Sequence, residues 1–147
     1  MRNDNRGRRG GDHSRERPQT NYAAMTEYYD QDGRLKREVF IQWPKQIAES
    51  IRISRTNMRR AYDFVAALRF RIQMGEDAIS VLQPGMGQLH RFVQYQSGRN
   101  PAWKEAPNFF HKHIDAVGSD PKKFEGFYQL FQSVMAYLRR HSHEEAQ

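Results

Sequence analysis

In five successive stretches of this chain, apolar residues recur at intervals of three and four. Nowhere do they alternate with polar residues over the length of a strand. That spacing gives a helix one apolar face and gives a sheet none, so an all-helical fold is expected. Val39, Phe40, Trp43, Ile47 and Ile51 predict a first helix over 37–52, with Pro44 splitting it or marking a fresh start. Met58, Ala61, Tyr62, Val65, Leu68 and Ile72 predict a second over 56–74, capped from Ser54-Arg55-Thr56 and ended by Gly75. Ala78, Val81, Leu82, Met86, Leu89, Val93 and Gln96 trace a third over 77–97. Pro84-Gly85-Met86-Gly87 is expected to bend or interrupt it, and Gly98 to close it in the left-handed conformation. A fourth covers 101–117, with Trp103, Phe109, Phe110, Ile114 and Val117 facing inward; Pro107 confines its regular part to 107–117. A fifth starts at the Asp120 cap with Pro121 in its first turn and runs to about His141. Its inner stripe is Phe124, Phe127, Tyr128, Phe131, Val134, Met135 and Leu138, and Arg139 and Arg140 in its last turn suit the helix dipole. The expected architecture is one compact bundle of about five helices.

Residues 1–25 offer almost nothing to pack and read as a disordered basic arm; residues 26–147 form the folded domain. The arm carries the RGG-like patch Arg6-Gly7-Arg8-Arg9-Gly10-Gly11, a composition that holds nucleic acid through charge and stacking. A plain solvated tail is the competing reading.

The formal charge is +7, from 18 Arg and 6 Lys against 17 acids. Guanidinium forks match phosphate oxygens in pairs and stack on bases, so this bias points to a phosphate-bearing partner. The bias is strongest between Arg52 and Met74, with six Arg and the single acid Asp63. Arg59, Arg60, Arg69 and Arg71 are assigned to the outer face of the second helix, with Arg55 before it and Arg99 after the third. Unpaired arginines repel one another, so such a face is more stable under a polyanion. A solvated face laced with i,i+4 ion pairs is the alternative. Tyr62 and Tyr95 could stack a base only if exposed, and both are expected to be mostly buried.

Catalytic parts are scarce. The absence of cysteine removes thiol chemistry and cysteine-ligated metals. Among the six histidines, His111 and His113 lie two apart and point to different sides of a helix, so no metal site is expected. In Tyr28-Tyr29-Asp30-Gln31-Asp32-Gly33, aligning Gly33 with the glycine of a calcium loop puts Tyr28 and Val39 where carboxylates are needed. Asp63, without a nearby histidine or second carboxylate, reads as a partner for Arg59 or Arg60 rather than a general base. No cofactor motif and no stretch able to span a bilayer occurs. A non-enzymatic, cytoplasmic protein is the expectation.

Four segments carry a family resemblance. Tyr29-Asp30-Gln31-Asp32-Gly33-Arg34-Leu35, followed by Val39-Phe40, looks like the opening of the small subunit of type III-A (Csm) CRISPR effector complexes. Thr56-Asn57-Met58-Arg59-Arg60-Ala61-Tyr62 resembles that family's Ser/Thr–Gln–Leu/Ile–Arg–basic–aromatic–Tyr/Phe segment, with Asn57 and Ala61 as departures. Tyr95-Gln96-Ser97-Gly98-Arg99 resembles its Tyr-Ala-x-Gly-Arg segment, and Phe124-Glu125-Gly126-Phe127-Tyr128 with Phe131 to Tyr137 its final helix. The likeness spans about 28–141; the Pro84–Gly87 interruption departs from it. The resemblance implies a helical subunit present in several copies along a crRNA-guided complex. It implies contacts with the backbone subunit, the large polymerase-like subunit, further copies of itself, and the crRNA and target RNA. RNA cleavage in that family belongs to the backbone subunit. By motif, Arg59, Arg60 and Arg99 are the RNA contacts implied; Arg55, Arg69 and Arg71 join them on charge alone. A type III-B small subunit, or a helical scaffold that holds proteins and no RNA, is the alternative.

Overall fold

The computed structural model describes residues 20–139, and among them the fold is five α-helices with three short 3-10 turns. They are α1 (Gln42–Ile51), α2 (Arg55–Gln73), α3 (Ala78–Arg99), α4 (Ala106–Val117) and α5 (Pro121–Tyr137). The ends follow from local chemistry. Ser54 Oγ accepts the Asn57 N–H, Asp77 that of Ser80, and Asp120 those of Lys122 and Lys123, so α2, α3 and α5 each start on a side-chain cap. Gly75 and Gly118 take positive φ just beyond α2 and α4, where a β-carbon would be strained. Pro44 lies in the first turn of α1, where its missing N–H has no helical partner to lose, so the helix is not split.

Helix α5, which buries more residues than any other described helix, sits at the centre and packs against the other four. Phe109 and Phe110 of α4 meet Phe127 and Phe131 of α5 with ring centroids 5.4–6.2 Å apart. All the inward residues expected on the fourth and fifth helices are buried. On the first, Phe40 is exposed instead.

Four expectations need correction. Helix α3 runs unbroken from Ala78 to Arg99 through Pro84. The glycine beside that proline is packed rather than idle: a β-carbon on Gly85 would stand 2.8 Å from the Leu68 methyls, so its absence lets α2 and α3 approach closely. Gly98 lies inside α3 and is not left-handed; the helix ends one residue later. Helix α5 stops at Tyr137, leaving Arg139 past its end; Arg140 lies outside the described residues. Finally, Tyr22 and Met25, assigned to the arm, are buried in the core, and the Tyr22 hydroxyl donates to Ser50 Oγ at 2.8 Å. The Arg/Gly-rich part of the arm lies outside the described residues.

The Asp/Gly turn is closed by the Asp30 carboxylate together with backbone bonds of its own. Asp30 Oδ1 accepts the N–H groups of Asp32 and Arg34, at 2.9 and 3.0 Å, and Tyr29 bridges to Leu35. It straps Tyr28 across α5, with Gly126 directly beneath the ring. The Tyr28 hydroxyl and His113 Nδ1 share a 2.6 Å hydrogen bond.

Candidate nucleic-acid interface

The six arginines singled out from the sequence do not share one face. Arg69 turns toward α5, where Nε and Nη2 donate to both oxygens of Glu125 at 2.9 and 3.0 Å and the guanidinium lies 4.3 Å from the Tyr128 ring centre. Partial burial opposes the charge on Glu125, but hydrogen bonds from Arg69 and Gln129 outweigh it and hold the carboxyl below its ordinary range. The hydrogen bonds to Glu125 raise the Arg69 pKa.

Arg55 is also engaged within the fold. Its Nε donates to the Met135 carbonyl at 3.0 Å, and Nη2 to those of Ala136 and Leu138 at 3.4 and 3.2 Å. These carbonyls close the C-terminal turn of α5, which otherwise lacks partners and carries the negative end of the helix dipole. Arg55 therefore does at α5 what the sequence assigned to Arg139 and Arg140.

Arg59 and Arg71 stay on the surface with local carboxylates. Arg59 Nε donates to Asp63 at 3.2 Å, one helical turn on. Arg71 makes two bonds to Glu76, at 2.6 and 3.1 Å, which raise its pKa and lower that of Glu76. Such exposed pairs are weak and screened by salt, so both guanidiniums can exchange a carboxylate for a phosphate. Asp63 accordingly sits as an exposed partner of Arg59.

Arg60 faces the other way, toward α3. Its guanidinium lies 5.6 Å from the centre of Phe92. Arg60, Phe64, Gln88, Arg91, Phe92 and Tyr95 line an open groove of about 620 Å³ between α2 and α3. Arg99 extends its rim: Nη1 donates to the Tyr95 hydroxyl at 2.8 Å and the guanidinium stands 5.2 Å from that ring. Arg60, Arg91 and Arg99 are exposed, and among the described residues no carboxylate lines the groove. Tyr62 is half-buried against Tyr128 and Phe131, but Tyr95 is 60% exposed, against expectation.

Arg91 was missed from sequence, although its signal was present. Arg91, Tyr95 and Arg99 recur every four residues along one side of α3, away from the buried Leu89 and Val93. The same spacing should have placed Tyr95 in solvent.

The histidines divide as their spacing required. His111 stacks on His90 at 4.3 Å, while His113 is fully buried among Tyr28, Phe109 and Phe127. Burial lowers the His113 pKa to about 3. No cluster of three or more metal-ligating side chains occurs among the described residues, and no described helix is long and apolar enough to cross a membrane.

Among known proteins, the family model described as Csm2 Type III-A matches residues 34–144, well over half of the chain. Neither a curated protein nor a solved structure matches it.

Proposed function

The chain belongs to the Csm2 type III-A family, the small subunits of type III-A Csm complexes, and from that premise we propose that it is a non-catalytic, cytoplasmic subunit that binds RNA backbone within its complex in antiviral defence. The observation that carries this reading is the grouping of Arg60, Arg91 and Arg99 on the α2–α3 side of the bundle, with no carboxylate among the described residues in the groove they border. Like charges held together in this way are relieved by a polyanion, and guanidiniums suit phosphate oxygens. Arg59 and Arg71 add exposed charge on the same helix. Arg55 and Arg69 contribute through the fold instead. The ligands proposed are the crRNA and the target single-stranded RNA. The protein neighbours proposed are the backbone subunit, the large polymerase-like subunit and further copies of the chain.

A second reading, a scaffold that touches only protein, is favoured by Phe70, Met74 and Ile79. These residues are 61%, 70% and 54% exposed around the turn between α2 and α3. Clustered apolar exposure of this kind suits a protein neighbour. Purification of the tagged chain from its host, followed by ultraviolet cross-linking, separates the readings. RNA cross-linked to this chain, and lost when Arg60, Arg91 and Arg99 are replaced with Ala while the complex still assembles, supports direct binding. An intact complex whose RNA never cross-links to this chain supports the scaffold.

A further inference from the structure

We propose that the α2–α3 groove receives one unpaired RNA base, stacked on the Tyr95 ring, while Arg60, Arg91 and Arg99 hold the phosphates on either side. The inference rests on the RNA-binding reading above and adds to it the part of the nucleotide that is recognised and the residues that recognise it.

The groove's composition differs from that of a plain phosphate-binding surface. Backbone binding needs only cations, yet aromatic rings are interleaved with the arginines here. Tyr95 is 60% exposed although burial would stabilise it, with Arg99 over its ring, and its neighbours Phe64 and Phe92 are only half-buried at the groove wall. An aromatic face in water beside cations is the arrangement that stacks bases in single-stranded nucleic acid. The arginines are placed accordingly. Arg60 and Arg99 are held over aromatic rings rather than by carboxylates, so their charge remains available to phosphate. Gln88 contributes an amide able to donate to or accept from a base edge. The space, about 620 Å³, is in the range of small-ligand sites and admits a base with its ribose. A base inside a duplex has its faces covered by its neighbours, so the groove selects unpaired nucleotides. A docked protein helix would cover the aromatic rings equally well, but it would leave three guanidiniums without counter-charge unless it were acidic.

The test uses the full chain and a short single-stranded RNA carrying 2-aminopurine, whose fluorescence falls when the base stacks on an aromatic ring. Binding should quench it. Tyr95→Ala should abolish the quench and weaken affinity about ten-fold, with the salt dependence of binding unchanged because the phosphate contacts remain. Tyr95→Phe should keep the quench. The same sequence in a fully paired duplex should show none. Salt-dependent binding without quenching, or with affinity indifferent to Tyr95→Ala, overturns the stacking site and leaves the RNA-binding reading standing. Absence of any RNA binding overturns both. Loss of a protein neighbour from the complex on Tyr95→Ala, with RNA fluorescence unaffected, would make the groove a protein surface and also overturn it.

Discussion

Arg55 and Arg60 lie five residues apart at one end of α2 and have opposite roles. Arg55 donates to three carbonyls that end α5, whereas Arg60, among the described residues, rests over the Phe92 ring. Hydrogen bonds from a charged donor to partly buried carbonyls are worth more than neutral ones, and their loss leaves acceptors stranded. Arg55→Ala should therefore lower stability by about 1–3 kcal/mol in urea unfolding, while Arg60→Ala should leave it nearly unchanged. His113 makes stability depend on pH. Its ring is neutral in the folded protein down to a pKa of about 3, whereas the unfolded chain takes up the proton near the ordinary value of about 6.5. Below that value protons favour the unfolded state, so stability is lost as pH falls from about 6.5 toward 3. At pH 5 this amounts to about 2 kcal/mol relative to pH 7. Replacing His113 and Tyr28 together with Phe, which removes both ends of their hydrogen bond, should flatten that contribution in urea titrations at the two pH values. An undiminished loss would show that His113 does not carry it.

At the scale of the elements, the stripes of α4 and α5 could be read from the sequence because each presents a single unambiguous apolar face. The ends and interruptions were harder. Pro84 promised a break in α3 that does not occur, and the Gly85 beside it lets α2 and α3 approach closely at Leu68. That contact lies between helices, beyond what a window on one helix can register. Gly126 is similar: it sits in a segment that resembles the family's final helix, but its reason lies in Tyr28, ninety-eight positions earlier. A β-carbon at Gly126 would fall 2.6 Å from the Tyr28 Cβ, Cγ and Cδ2 atoms, and Tyr28 is held by the His113 bond. Gly126→Ala should destabilise the protein by about 1–3 kcal/mol, despite alanine's better helix propensity. The check is the urea midpoint; a midpoint raised above that of the parent would mean that Tyr28 moves aside freely.

For the whole molecule, the excess of arginine led to the expectation of a polyanionic partner, but linear charge counting could not tell which guanidiniums face outward. The carboxylate of Glu125 that engages Arg69 comes from α5 and the carbonyls that engage Arg55 from its end, both distant in sequence. The cationic surface is thus displaced from α2 alone onto the groove it forms with α3. Arg91 and Tyr95 line that groove, and Arg55 and Arg69 are engaged within the fold. The most direct test is the salt dependence of single-stranded RNA binding by the full chain between about 50 and 300 mM salt. With about four to six phosphates engaged, log affinity should fall against log salt with a slope of about −3 to −4. Replacing Arg60, Arg91 and Arg99 with Ala should make that slope shallower by about 2, and Arg69→Ala should leave it unchanged. A flat slope, or one indifferent to the triple replacement, would contradict a phosphate-binding surface at this groove.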